Sequence, residues 1–362
     1  MRGGATEVGE PRLALVMIAR DEARCIERAL ASARPWVDEM VVLDTGSRDA
    51  TPAIAARCGA RVASFDWIDD FAAARNAALG LTGAAWRLVL DADEWIAGGA
   101  DCLAQLRDAA PDHVGSVSVA SSYDGDAGVA VAPSWLPRLL PRGVHYAGRI
   151  HEQPDLALPR RRWPLSIGHD GYRAAQMHAK GDRNARLLAQ AVAETPADAY
   201  LRYQFGKDHE VHGRWAEAAP HYRQALSDTD ACAVWRHDLV LRMLFTLKKL
   251  GRHAEALQLA ESEMPHWPHS PDFSFTVGDL LLDWAASEPA HAATLLPVVE
   301  QSWLRALEIG ENPALPDSVP GRGSYLAATN LAVLHDGLCD AAQAAAWRER
   351  AAALRGAAVA RG

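Results

Sequence analysis

No two cysteines in this 362-residue chain are spaced as CxxC, and none stands at the offsets from histidine that a structural zinc site uses. The five that exist, Cys25, Cys58, Cys102, Cys232 and Cys339, are scattered. Their spacing argues against a disulfide framework and for reduced thiols, so we expect a cytoplasmic protein. Long apolar runs are missing too. A bilayer-spanning helix needs roughly 18–20 consecutive apolar residues, and the strand-like runs here, such as Leu13–Ala19, are only core-sized. The opening stretch MRGGATEVGEP has no apolar segment, which argues against a secretory signal, and residues 1–11 are expected to be disordered. Positive charge is not in excess: the formal net charge is −9, and no nucleic-acid partner is expected. No GxGxxG follows a strand pattern, which excludes a nicotinamide dehydrogenase.

What is there is an ordinary globular balance, 49% hydrophobic and 23% charged, over a length that suggests two domains. The first 170 or so residues alternate strand and helix patterns. Leu13–Ala19 is continuously apolar, as in a parallel strand buried on both faces. A helix is expected over 21–34, strands over 39–43, 61–65 and 86–90, and a helix over 71–81. Ser47 or Asp49 is placed to cap a helix carrying Pro52 in its first turn. This order predicts an α/β domain with a Rossmann-like, mostly parallel sheet and helices on both faces. From about Val114 the pattern turns irregular and β-rich, punctuated by Pro133, Pro137 and Pro141. The domain is read as 12–172, followed by a linking helix at 173–195.

From 196 to 362 the chain reads as all-α. Gly206, Gly213, Ala218, Tyr222 and Ala225 stand at tetratricopeptide offsets, with small residues where two helices touch. Gly251, Ala256 and Ala260 repeat the later part of that spacing. Gly278 with Trp303 and Ala306 gives a third unit, and 331–353 a fourth. Such arrays offer a surface to a protein partner or to a second copy, so a homodimer through the repeats is one expectation; bracing of the first domain is the plainer one.

Ligands of open parallel sheets bind at the carboxyl ends of the strands, and polar clusters stand there: Arg20-Asp21-Glu22, Asp44-Thr45-Gly46-Ser47 and Asp91-Ala92-Asp93. If 91–93 is extended, Asp91 and Asp93 point to one side. Mg²⁺ and Mn²⁺ are held by one or two carboxylates together with substrate phosphates. A lone DxD is more often a pair of solvated acids or a helix cap. Arg75-Asn76, beyond Asp69-Asp70-Phe71, would bring a cation near the crevice to meet phosphate; alternatively Arg75 pairs with Asp69 or Asp70 on a surface helix.

The stretches MIARDEARCIERAL, VVLDTGSRDAT, DWIDDFAAARNAAL and LVLDADEW, in that order, resemble the GT-A core of family 2 glycosyltransferases. RIHEQ at 149–153 and IGHDGY at 167–172 are similar to the branch that includes the sublancin-type peptide S-glycosyltransferases, as is the appended tetratricopeptide-like region. The resemblance implies inverting transfer from a nucleotide sugar, a UDP-sugar in most members, to a peptide, protein or glycan acceptor, with a divalent metal. It implies that Asp44 contacts the uridine together with the turn Ala19, Arg20 to Glu22. Arg75 would lie near the base or diphosphate, and Asp91 near the ribose or donor sugar. Asp93 would be the main metal ligand, with His169 a further ligand or else a core histidine. The late acidic pair that supplies the base in many members is missing between 101 and 172. Glu152 is therefore the candidate general base, or a salt-bridge partner of Arg149 or Arg160–Arg162. A cysteine acceptor, with a free pKa of about 8.5, would need a base less. Trp135, Tyr146 and Trp163 are candidates to stack on sugar or acceptor, or core residues.

Two other enzyme classes fail. A haloacid-dehalogenase-type phosphatase would carry Thr or Val where Trp95 stands, and a sugar nucleotidylyltransferase needs a glycine- and arginine-rich loop that Met17–Arg20 does not supply. The non-enzyme alternative is an adaptor, a repeat scaffold on an inactive nucleotide-binding domain.

Overall fold

The structure is a computed structural model that describes residues 12–125, 128–154, 158–172, 174–315 and 318–359. The stretch 1–11, expected to be disordered, lies outside the described residues. The chain folds as two units, 1–191 and 192–362.

The first unit runs β1 (Leu13–Ala19), α1 (Ile26–Ala33), β2 (Glu39–Asp44), α2 (Thr51–Arg57), β3 (Arg61–Ser64), α3 (Phe71–Gly80), β4 (Trp86–Val89), β5 (Glu94–Gly98), α4 (Cys102–Asp108), β6 (Val114–Gly125), β7 (Gly128–Pro141), β8 (Tyr146–Ala147), β9 (Gln153–Pro154), β10 (Arg160–Tyr172) and α5 (Ala174–Glu194). Eight strands form one sheet in the order β3-β2-β1-β4-β7-β6-β10-β5, and β8 pairs with β9. The ladders β2–β3, β1–β2 and β1–β4 are parallel, as the alternating pattern predicts. Beyond β4 the sheet becomes mixed: β4–β7, β6–β7 and β5–β10 are antiparallel and β6–β10 parallel. Pro133, Pro137 and Pro141 do not break this region; all three lie within β7.

Alternation along β1 explains its unbroken apolar sequence. Leu13, Leu15, Met17 and Ala19 join a core with α1, α2 and α4, while Ala14 and Val16 join a second core with α3. A strand between two such layers must be apolar on both faces.

Two local expectations are corrected at the end of β1. The first helix begins at Ile26, not near Asp21, because the intervening backbone forms a turn held from the β2–α2 loop. Asp21, at φ 55°, donates its N–H to Ser47 Oγ (2.9 Å), and Glu22 and Ala23 donate theirs to Thr51 Oγ1 (2.8 Å) and Asp49 Oδ2 (3.1 Å). Ser47 is thus occupied in holding that turn, while Asp49 serves both sides: its Oδ2 takes the Ala23 N–H and its Oδ1 the N–H of Thr51, the first residue of α2 (2.9 Å). Ala50 takes the N-cap position of α2, without a side-chain bond, and Pro52 sits in its first turn.

The second unit is helical. Its principal helices are α6 (Ala199–Val211), α7 (Trp215–Asp228), α8 (Arg236–Lys249), α9 (His253–Glu263), α10 (Pro271–Ser287), α11 (Ala292–Ile309), α12 (Tyr325–Gly337) and α13 (Ala341–Val359). The tetratricopeptide spacing has a steric origin. A Cβ on Gly206 would lie 2.4 Å from the Tyr222 ring, and one on Gly278 2.6 Å from the Trp303 indole. Ala218, Tyr222, Ala225, Trp303 and Ala306 are all fully buried. Each large ring fills the space that a glycine on the facing helix leaves, so the contact is close-packed.

Between α6 and α7 the Phe205 ring packs against His209 (4.6 Å) and His221 (4.4 Å), and the two imidazoles stack at 5.4 Å. Arg214 Nε donates to His209 Nδ1 (3.1 Å), which makes that nitrogen an acceptor. Burial, reinforced by His209 and Arg202, pushes His221 down to about 4. An unfolded histidine titrates near 6.5, so this neutral imidazole contributes stability that is complete above about 6.5 and lost as pH falls toward about 4. The midpoint of thermal unfolding is expected to drop between about pH 7 and about pH 4.5, and to drop less in His221→Gln. Equal slopes in the two proteins would remove His221 as the cause.

Candidate functional site

The carboxyl ends of β1, β2 and β4 lie on one edge of the sheet, and most of the residues singled out from the sequence are found there. Ala19 and Asp44 are register partners across β1 and β2. The Ala19 carbonyl accepts from the Thr45 N–H (2.9 Å) and hydroxyl (3.2 Å). Asp44 is 7% exposed, and its carboxylate accepts the N–H groups of Gly46 (3.2 Å) and Ser47 (3.1 Å). Arg20 is exposed, its Nε 3.9 Å from Asp21. Glu22 accepts from the Cys25 thiol at 3.1 Å, and burial together with that carboxylate pushes Cys25 up to about 12.

A second group is built around Arg75. Asp70 caps α3 by accepting the Ala73 N–H (2.8 Å), which fixes where the helix starts and so where Arg75 emerges. Arg75 does not pair with Asp69 or Asp70. It is 8% exposed and donates from Nη2 to Asp91 Oδ1 (2.8 Å) and from Nε to Glu152 Oε1. The adjacent Asn76 clamps the backbone of Tyr146 in both directions, donating to its carbonyl (2.8 Å) and accepting its N–H (2.7 Å). This holds β8 against α3. Glu152 therefore meets Arg75, not Arg149 or Arg160–Arg162; Arg149 donates to the Asp69 carbonyl at 3.0 Å. Asp69 itself is gripped by both terminal nitrogens of Arg186 (2.8 and 2.9 Å), which with Trp67 hold it down to about 2.

Asp91 and Asp93 do not lie on an extended segment. β4 ends at Val89, and residues 91–94 form a turn closed by Glu94 N–H to the Asp91 carbonyl (3.0 Å). The turn separates the two acids. Asp91 is held by Arg75 and, through Oδ2, by Arg138 Nη2 (3.0 Å). Burial works to raise Asp91, and the two arginines overcome it and hold the carboxyl well below the ordinary range. Glu94, 2% exposed, accepts from Arg138 and from the Asp91 N–H (3.0 Å); burial pushes its pKa up against the pull of Arg138.

Asp93 faces His169, Oδ2 to Nε2 at 3.5 Å. The sheet explains the meeting: β5 and β10 are antiparallel with His169 opposite Glu94, so β10 delivers the imidazole to the turn. Burial alone would lower His169, but its contact with Asp93, aided by Glu94 and Asp91, raises it overall. A carboxylate and an imidazole side by side are a donor set that a divalent cation can share with phosphate oxygens. Among the described residues no group of three or more His, Cys, Asp and Glu side chains forms a metal cage.

Two residues, Glu94 and Arg138, join the site without having been read from the sequence as site residues, and Tyr146, read there as a stacking candidate, enters beside Arg75. Glu94 directly follows the acidic pair. Arg138 comes from a bulge in β7, where Pro137, Arg138 and Leu139 face only Gly115 and Ser116. Tyr146 places its ring 5.4 Å from the Arg75 guanidinium, and burial pushes its hydroxyl up to about 12. Of the other aromatics, Trp163 is a core residue, stacked on His113 and bonded to its Nε2 (3.1 Å). Trp135 is 42% exposed, with Arg162 over its ring at 4.6 Å.

Residues 14–150 match the family model described as Glycosyl transferase family 2. A TPR repeat-containing protein of Synechococcus elongatus is 33% identical over 307 residues, covering 78% of this chain and 75% of the relative. An uncharacterized glycosyltransferase of Rickettsia felis is 36% identical over 83 residues, 23% of this chain and 29% of that protein. Among solved structures, MamA aligns over 51% of this chain and 94% of its own, at 10% identity and a TM-score of 0.39.

Proposed function

We propose, from the premise that the chain belongs to the family of the Synechococcus TPR repeat-containing protein and carries a family 2 glycosyl transferase domain at residues 14–150, that it moves a sugar from a nucleotide-sugar donor to a peptide, protein or glycan acceptor. The observation that carries this reading is the coincidence of the matched segment with the Asp44 and Asp91–Glu94 groups on one sheet edge. The donor is a UDP-sugar. Asp44 and the turn Ala19, Arg20 to Glu22 take the nucleoside, where the carboxylates offer hydrogen bonds to base and ribose. Arg75 and Asp91 form the wall beside the diphosphate and sugar.

Asp93 and His169 are the residues that would hold Mn²⁺ or Mg²⁺. Held there, such an ion would supply positive charge to the departing diphosphate. Inverting transfer needs a base on the acceptor side. Glu152 offers Oε2 for that proton, since Arg75 holds its other oxygen. The helical repeats present a protein partner or the acceptor's carrier.

The test is UDP release by the purified chain across a panel of UDP-sugars, with Mn²⁺ or Mg²⁺ and with EDTA. Turnover of one donor, stopped by EDTA, is the expected result and names the sugar.

One observation favours a second reading. Asp91 and Glu152 are engaged by arginines within the protein, as they would be in a nucleotide-binding domain that has become an adaptor. No heat of UDP binding with Mn²⁺ present, in a well-folded sample, selects the adaptor.

A further inference from the structure

Helix α5 is pinned beside the start of α3. Arg186 grips Asp69 with both terminal nitrogens (2.8 and 2.9 Å), and Leu187, Leu188 and Ala191 are buried. Asp69 stands just before Asp70, the N-cap of α3. Arg183 precedes Arg186 by one helical turn, on the same face of α5. Its guanidinium lies over the ring of Phe71, the first residue of α3, at 5.2 Å. Phe71 is itself fixed, edge-on to Trp67 at 4.8 Å and donating its N–H to the Arg149 carbonyl (2.8 Å). Because α3 follows the parallel strand β3, its first turn stands at the carboxyl ends of the strands, and Arg183 is delivered there.

A second arginine stands near it. Arg20 directly follows β1, in the turn assigned to the nucleoside. Burial and the neighbouring Arg20 charge lower Arg183 from its ordinary value, and Glu22 opposes them. Arg75, Arg138 and Arg186 are each held closely by carboxylates. Arg20 and Arg183 are not. Arg20 comes no nearer than 3.9 Å to Asp21, with both side chains exposed. Among the described residues Arg183 makes no ion pair, and its Nε and Nη2 reach only Asn184 Oδ1, at 3.4 Å. Both arginines stay charged at any working pH. Like charges gathered at a ligand edge repel until an anion lies between them, and the guanidinium fork matches phosphate oxygens.

We propose that Arg20 and Arg183 form a clamp for a phosphate of the nucleotide donor, so that α5 as well as the sheet edge builds the donor site. The inference rests on the nucleotide-sugar reading above. It adds a phosphate contact that needs no metal. The two guanidinium groups serve the phosphate, while the carboxylates of the turn and Asp44 serve base and ribose.

The experiment measures uridine and UDP binding to the full chain by calorimetry, in EDTA so that no divalent ion contributes. The parent is expected to bind UDP about tenfold or more tighter than uridine. Arg183→Gln, folded by circular dichroism, is expected to lose about tenfold for UDP, the size of one charge-assisted bond, and to stay within about twofold for uridine. A role in bracing α5 alone would weaken both ligands alike. Equal losses therefore overturn the proposal, as does an unchanged affinity for UDP. Arg20→Gln alters an exposed turn residue and reads the other half of the clamp independently. The same selective loss is expected there, and an undiminished affinity for UDP overturns the clamp. The two readings fail differently. A parent that binds neither ligand defeats the nucleotide reading and the clamp with it. A parent that binds uridine and UDP equally well defeats the clamp alone.

Discussion

Asp93→Ala is expected to remove metal-dependent UDP release while leaving the fold intact. The wild-type carboxylate stands beside His169 in the turn after β4, where its oxygen could share a divalent ion with the donor's diphosphate. Lewis-acid stabilisation of a leaving diphosphate amounts to several kcal/mol, so the rate should fall about a thousandfold or more. The comparison must separate binding from turnover. UDP affinity measured in EDTA should change little, because Asp44 and the end of β1 do not depend on Asp93. The Mn²⁺-induced gain in UDP affinity should vanish. An Asp93→Ala protein with undiminished, EDTA-sensitive turnover would falsify the assignment of the metal to this residue.

Arg75→Leu is expected to have the largest effect on stability. Arg75 is buried and holds two carboxylates from distant segments, Asp91 after β4 and Glu152 before β9. Removing one partner of a buried ion pair leaves the other charge uncompensated and costs about 3–5 kcal/mol. Glu152 suffers most, since Asp91 keeps Arg138. Arg75→Leu should therefore lower the urea midpoint sharply, and adding Glu152→Gln should restore part of the loss by neutralising the stranded acid. If the single and double variants unfold at the same denaturant concentration, Glu152 is not the stranded charge. If Arg75 and Asp91 line the donor's diphosphate as proposed, donor binding should fail in both.

The two predictions draw on parts of the site that were not equally legible in the sequence. The parallel half of the sheet could be read directly: β1 is apolar on both faces because it lies between two helical layers, β2 ends in Asp44, and the acids Asp91 and Asp93 follow β4 at the edge where open parallel sheets take ligands. The repeats were readable for a related reason. Gly206 and Gly278 are small because Tyr222 and Trp303 fill the same space, so packing left a spacing behind. The partners of the acids were harder. Arg75 was visible, but its pairing with Glu152 depends on the clamp of Asn76 on β8, a contact across distant sequence. Reading Asp91 and Asp93 as extended neighbours failed because the strand stops at Val89 and a turn follows. Arg138 left no signal at all. One arginine in a run of prolines and leucines has no periodicity, and only the pairing of β7 with β6 reveals that it occupies an extra position.

That extra position sets two demands on β7 against each other. The strand is one residue longer at 137–139 than its ladder to β6 requires. Deleting residue 138 would let β7 pair with β6 without interruption and would leave a more regular sheet. It would also take away the one nitrogen that bridges Asp91 and Glu94. Strand length at this point, and not only the identity of a side chain, decides whether the turn is balanced. A shortened β7 would therefore give a better sheet around a broken site, so insertions and deletions here matter as much as substitutions of the acids themselves.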